Sequence, residues 1–278
     1  MIRRALLVSL LLLPLAATAP AQAPAPSPTP EAQAATLLPH QANYRLSLDT
    51  GRPPGAVVQA QGSLVFEILD ACDAWAARQR FSLIVEDAQG NLIETGSEYT
   101  TLEAKDGSRL RFSLVQTTEG AVTARVAGTA ELTPEGGVIR YTEPAPAEVA
   151  LPPGTLLPSA HTLRALAAAR AGQRVLVAPL FDGTSEEGPT DTTTIIVSGW
   201  LPPEPHPRFS ALSGLSSARM RVAFFDRPEG EQPSAATPSY EVGLRYFENG
   251  VGDELLMDFG EFAVRGQLTE FRPVPSPC

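Results

Sequence analysis

Two cysteines, three histidines and one acidic cluster are the residues of this chain whose types could carry chemistry. Cys72 lies in EILDACDAW, and Cys278 is the last residue, in FRPVPSPC, 206 positions further on. Neither has a second cysteine nearby, so the CxxC arrangement, in which a neighbouring thiol resolves an activated thiolate, is absent. His40, His161 and His206 fall in LLPHQANY, PSAHTLRA and PEPHPRF, with neither HExxH nor another compact metal-ligand spacing. There is no GxSxG elbow, Walker loop or dinucleotide-binding glycine pattern. Asp182, Glu186, Glu187 and Asp191 in LFDGTSEEGPTD could gather calcium or supply an acid and a base, but their spacing is not that of an EF-hand. An exposed acidic turn between two strands accounts for them more simply.

His161 falls in the first turn of a predicted helix, where the amino-terminal dipole lowers its affinity for a proton. A structural hydrogen bond is the simpler role, because no matching nucleophile is visible. A catalytic reading would require Asp182, Glu187 and His161 to converge beside a cleft. Trp75 and Trp200 are expected in the core, with the rim of a cavity as the other placement.

The elements that position these residues begin with MIRRALLVSLLLLPLAATAPAQA. Arg3 and Arg4, an apolar run from Ala5 to about Leu15, and Ala21-Gln22-Ala23 mark residues 1–23 as a secretory signal peptide. Residues 24–36, APAPSPTPEAQAA, alternate Pro with small residues and read as a flexible leader. No later stretch reaches the roughly 20 apolar residues of a spanning helix, so no transmembrane segment is expected in the mature chain. The absence of a cysteine near the cleavage site argues against a lipoprotein anchor. The whole chain has 21 Lys and Arg against 31 Asp and Glu, a formal charge of −10; without Arg3 and Arg4 the balance is 19 against 31, or −12. So acidic a chain, with no compact basic stripe, is not expected to bind nucleic acid. In an exported compartment two cysteines favour a disulfide. It could strap the tail within one monomer or join two protomers, and two free thiols are the remaining alternative.

From Leu37 onward about 240 residues are available, enough for one large domain or two closely packed halves. NYRLSLD (43–49) and AQGSLVFEIL (60–69) read as strands around the GRPPG turn. Residues 78–142 are punctuated by AQGN, AKDG, TEG and PEGG, and Phe81-Leu83-Val85, Leu110-Phe112-Leu114 and Val122-Ala124-Val126 alternate with period two. This predicts an antiparallel meander. A proline-rich joint near 143–158 leads into SAHTLRALAAARAGQ, a predicted helix near 159–171. Ser159 is its expected cap, Leu163, Leu166 and Ala167 its expected apolar face, and Gly172 its terminator. Strands are predicted again at 174–183, 191–200, 218–226, 239–250 and 254–274. A mainly β chain must close its sheet or cover the edges, and the helix is the candidate cover.

LLPHQANYRLSL (37–48), the Cys72 and Cys278 pair, PSAHTLRALAAARAGQ (158–173) and LFDGTSEEGPT (180–190), in that order, resemble the alphaproteobacterial envelope integrity protein EipB family. The resemblance implies a single domain over 37–278, folded as a highly bent antiparallel β-spiral forming two open barrel-like parts. It also implies a Cys72 to Cys278 disulfide, a periplasmic location, and a non-enzymatic role in cell-envelope integrity through structural or protein–protein interactions. The implied partners are other periplasmic proteins, one with tetratricopeptide repeats among them. No catalytic set, cofactor or metal is carried over; His161 and Asp182 are carried as structural or interaction positions. Gln41 stands where relatives commonly have a basic residue after the PH pair, so no charge-dependent role transfers to it. The alternative function is a carrier or sensor of lipid, lipoprotein or another apolar ligand, with Phe112, Leu114, Phe224 and Tyr246 as cavity-wall candidates.

Overall fold

The computed structural model describes residues 36–52, 55–225 and 237–278. The expected signal peptide, and the expected leader up to residue 35, lie outside the described residues.

Fourteen strands form one antiparallel sheet. Alternation of apolar and polar residues, with Gly-containing turns between, produces the outward meander: β1 (His40–Leu48), β2 (Val57–Asp70), β3 (Ala74–Asp87), β4 (Leu92–Ala104), β5 (Arg109–Thr118), β6 (Ala121–Thr133), β7 (Gly136–Glu143) and β8 (Ala147–Leu151). Helix α1 (Pro158–Arg170) then carries the chain to the opposite edge. The return meander is β9 (Val175–Leu180), β10 (Thr190–Ile196), β11 (Ser217–Phe225), β12 (Tyr240–Phe247), β13 (Gly252–Asp258) and β14 (Ala263–Pro273). It ends with β14 beside β1, so the first and last strands meet in the middle and the edges are β8 and β9. The sheet does not close. Leu156, beyond the end of β8, forms an isolated parallel bridge with Leu180 of β9.

The sheet bends around two main cores. Tyr44, Leu46, Leu64, Leu83, Phe247 and Leu268, from β1 to β3 and from β12 and β14, line the first. Leu110, Phe112, Leu114, Val126, Ile139 and Tyr141, from β5 to β7, line the second, where Leu157 and Phe181 join them. The period-two expectation for Leu110, Phe112 and Leu114 matches their burial. The proline-rich joint holds a strand that composition concealed, β8, entered through a cis Glu143–Pro144 bond. The predicted strand at 254–274 is two strands turned at Phe259-Gly260, with the Phe259 amide donating to the Phe262 carbonyl at 2.9 Å.

Helix α1 starts one residue before its expected boundary and has no single apolar face. Ala165, Leu166, Ala168 and Ala169 pack on Ile196, Ala218 and Met220. Leu163, on another face, packs against Trp75, while Ala167 is exposed. The expectation of one face formed by Leu163, Leu166 and Ala167 fails because the helix is held between two parts of the bent sheet. Its end follows expectation: Gly172 takes φ 75° and its amide donates to the Ala169 carbonyl at 3.0 Å.

Candidate functional site

The seat of α1 brings together the buried polar groups Glu103, His161 and Thr194. Pro158 stands in the first turn, Leu157 occupies the cap, and no side chain of the helix itself caps the start. The expected Ser159 cap is therefore displaced: Ser159 is inside the helix, and its amide donates to Glu103 Oε2 at 2.7 Å. The Ala160 amide donates to Glu103 Oε1 at 2.9 Å. Glu103, 1% exposed on β4, thus satisfies two free amides of the first turn, where Pro158 has none, from a distant strand. Burial pushes its carboxyl above the usual carboxylate range, and the two amide hydrogen bonds pull it the other way.

One turn on, His161 is buried and its Nε2 lies 3.1 Å from the hydroxyl of Thr194 on β10, itself fully buried. Burial pushes the imidazole down to about 4, so at neutral pH His161 is uncharged. Thr162 Oγ1 lies 3.5 Å from the Tyr246 hydroxyl on β12. At the other end Arg170 places its guanidinium 5.0 Å from the Trp200 ring centre and 3.6 Å from Glu248. Trp75 is buried, with the Lys105 ammonium 4.4 Å from its ring centre.

Asp182 belongs to a different structure. Its Oδ1 accepts from the Thr184 amide at 2.9 Å and the Thr184 hydroxyl at 2.7 Å, which closes a tight Asx turn. The Tyr99 hydroxyl donates to the Asp182 carbonyl, and the Tyr141 hydroxyl donates to the Ser185 carbonyl at 2.9 Å. These bonds draw the 181–188 loop over the second core, where Phe181 meets Phe112 edge-on at 5.2 Å. Gly183 is required there: its φ is 80°, and an added Cβ would lie 2.5 Å from the Phe112 ring. Glu186 and Glu187 are exposed. Asp182 and His161 thus hold separate seats, and the described residues contain no group of three His, Cys, Asp or Glu side chains able to hold a metal.

Cys72 and Cys278 are joined, with Cα atoms 5.5 Å apart. Cys72 sits in the β2–β3 turn at φ 69°, and its amide donates to Asp70 Oδ1 at 2.9 Å. Ser276 donates to Asp70 Oδ2 at 2.9 Å, and the Val274 amide donates to the Pro39 carbonyl at 2.8 Å. Lys105 pairs with the same Asp70 and holds its carboxyl below the usual range. The tail is therefore laid along the sheet by hydrogen bonds as well as by the crosslink. Gln41 bonds to Glu67 and Arg272 on the neighbouring strands.

Sequence reasoning missed Glu103, Thr194, Tyr99 and Asp70, because each acts on residues far along the chain. The partners of His206 were missed too: its Nε2 meets Asp253 at 3.0 Å while Nδ1 accepts from the Arg208 and Phe209 amides. Among the described residues no buried side-chain nitrogen or oxygen lacks a partner. Phe112 and Leu114 are core residues; Tyr246 packs against both the first core and the helix, and Phe224 lies 5.5 Å from Tyr240. Cavities of about 140 Å³ beside Gln41, Asn43 and Arg272 and about 290 Å³ beside Arg125 and Glu143 are shallow and carry charged walls.

Comparison with known proteins follows this geometry. The cell envelope integrity protein EipB of Brucella abortus (strain 2308) is 27% identical over 243 residues, covering 86% of this chain and 85% of that protein. The crystal structure of a beta-barrel-like protein of a domain of unknown function, also from Brucella abortus, superposes with a TM-score of 0.76 at 25% identity, covering 87% of this chain and 100% of the other. Residues 31–275 match the EipB-like family as a whole, and the chain belongs to that family.

Proposed function

We propose that this chain is a non-enzymatic periplasmic protein that supports cell-envelope integrity through structural or protein–protein interactions. The observation that carries this reading is the 27% identity to a cell envelope integrity protein across 86% of the chain. The internal chemistry supports it. The buried glutamate and histidine are engaged in seating a helix, and the buried tyrosine hydroxyls in seating a loop, so these groups have structural roles. The crosslinked tail suits an oxidising compartment outside the cytoplasm. Partners are other periplasmic envelope proteins, including one with tetratricopeptide repeats.

The test is a deletion strain challenged with detergent and cell-wall antibiotics, combined with affinity capture from intact cells. Sensitivity restored by the wild-type gene, with recovery of envelope proteins above background, is the expected result. Normal resistance with no envelope protein captured would sink the reading. The carrier alternative gains nothing from the site, since the wall candidates Phe112 and Leu114 are occupied in packing. Native mass spectrometry of the exported protein showing a stoichiometric lipid would restore it.

A further inference from the structure

Cys72 and Cys278 are both exposed, one in the β2–β3 turn and the other in the tail that follows β14. Among disulfides of exported proteins the exposed ones are those that thiols reduce most readily. Whether reduction acts on the tail alone or on the whole sheet is decided by what else holds residues 274–278.

Pro275, Ser276, Pro277 and Cys278 are exposed and Val274 is half-buried, so the tail buries little apolar surface. Pro275 and Pro277 have no amide to donate, and the Cys278 amide turns back on Ser276 Oγ at 3.2 Å. Among the described residues two hydrogen bonds cross from the tail to the sheet, from the Val274 amide to the Pro39 carbonyl and from the Ser276 hydroxyl to Asp70. Two such bonds are worth less than the conformational freedom lost in ordering these residues, so the crosslink is what keeps the tail in place. The sheet does not share this dependence. From His40 and Pro273 onward β1 and β14 pair along their length, and β1 pairs with β2 on its other side. The entropy that gives the strap its thermal value belongs to the unfolded chain, and it plays no part while the ladder is intact.

The strap also reaches the helix through a chain of contacts. Ser276 and the Cys72 amide fix the Asp70 carboxylate, which pairs with Lys105. The Lys105 ammonium lies 4.4 Å from the centre of the Trp75 ring, and Trp75 packs with Leu37, Ile68 and Leu163 of α1. We propose that the Cys72 to Cys278 disulfide is a redox latch: a dithiol opens it in the folded state, residues 274–278 come free, and the Trp75 seat of helix α1 loosens while the sheet stays assembled. A thiolate of the reductant attacks one sulfur of the crosslink, the S–S bond breaks, and the other sulfur leaves as a thiolate that takes up a proton. The second thiol of the reductant then closes its own disulfide and releases the remaining cysteine. Both electrons and both protons end on Cys72 and Cys278, and the dithiol is oxidised.

The test treats the folded, oxidised protein with millimolar dithiothreitol and follows free thiols by alkylation and mass spectrometry, with residue-resolved amide exchange before and after. Trp200→Phe leaves Trp75 as the one indole, so its emission reads the helix seat. Both thiols are expected to appear without denaturant. The Val274 and Cys72 amides are expected to exchange about tenfold faster or more, and the Trp75 emission to move to the red, while the amides of Tyr44 to Leu48 keep their protection. Reoxidation is expected to restore the starting state. Reduction that needs denaturant, or that exposes the β1 amides together with the tail, overturns the proposal and makes the crosslink a permanent strap. So does a reduced protein whose Val274 amide or Trp75 emission is unchanged. The double variant Cys72→Ser, Cys278→Ser is expected to show the freed tail from the outset and no response to dithiothreitol; a tail still protected in that variant also overturns the latch.

Discussion

The two halves of the sheet solve the same problem with different materials. The β5 to β8 half is stoppered by a loop, held by tyrosine hydroxyls on backbone carbonyls and by the Phe181 ring among Phe112 and Tyr141. The other half is stoppered by helix α1, held by a carboxylate on helix amides and an imidazole beside a threonine. The loop's anchors titrate only in strong base: burial pushes the Tyr141 hydroxyl up to about 12 and Tyr99 well above its ordinary value. Of the helix's anchors, burial pushes the His161 imidazole down to about 4 and the Glu103 carboxyl upward. The half with the helix is also the half with the crosslinked tail, so the more condition-sensitive stopper is accompanied by the covalent strap.

The sharpest way to break that comparison is to cut the strap. Cys72→Ser or Cys278→Ser frees a 206-residue separation, for which the loop-entropy estimate is about 5 kcal/mol, an upper guide. Thermal denaturation is expected to show a large loss in Tm. Phe181→Ala, in the other half, empties the centre of an aromatic cluster and is expected to cost about 4 kcal/mol in chemical denaturation. Strands β3 and β4 are continuous between the halves, so both substitutions are expected to shift one cooperative transition. Two separated transitions would show that the stoppers act independently.

Smaller effects distinguish the anchors. Glu103→Ala leaves two amides of the α1 first turn without their carboxylate and is expected to cost about 2 kcal/mol. Glu103→Gln, which keeps an acceptor, should recover about half of that loss.

The anchors also differ in their response to pH, which His161 reports. Its folded value of about 4 lies below the ordinary 6.5, so between these values the unfolded chain binds the extra proton and stability falls as pH falls. Above 6.5 the group contributes no slope. Glu103 opposes this trend, because its raised carboxyl takes up a proton in the folded state first. His161→Gln isolates the histidine: between pH 6.5 and about 4 the variant is expected to lose less stability than its parent. Equal slopes for the two proteins would remove His161 from the account.

Strands were legible where one face is buried, as at Leu110, Phe112 and Leu114, because the period survives in the sequence. Helix α1 was legible from its end at Gly172 but not from its start, since the cap that matters comes from Glu103, 56 residues earlier. Strand β8 was hidden among prolines that blunt an edge and also imitate a linker. Nothing local could announce that β14 returns beside β1, or that Asp253 waits for His206 47 residues away. His161 was readable as a buried structural group in kind, not in partner, because Thr194 is chosen by the sheet's path.

The meeting of β1 and β14 at the middle of the sheet has a consequence for biogenesis. A chain that emerges amino terminus first exposes β1 at once, yet one flank of that strand stays unzipped until the last residues arrive. Completion of the sheet is thus tied to the arrival of β14, with many of its contacts between residues far apart in sequence. A nascent or truncated chain lacking β14 is missing the central seam and not an edge, and offers β1 and β13 as raw strands to whatever holds unfinished proteins.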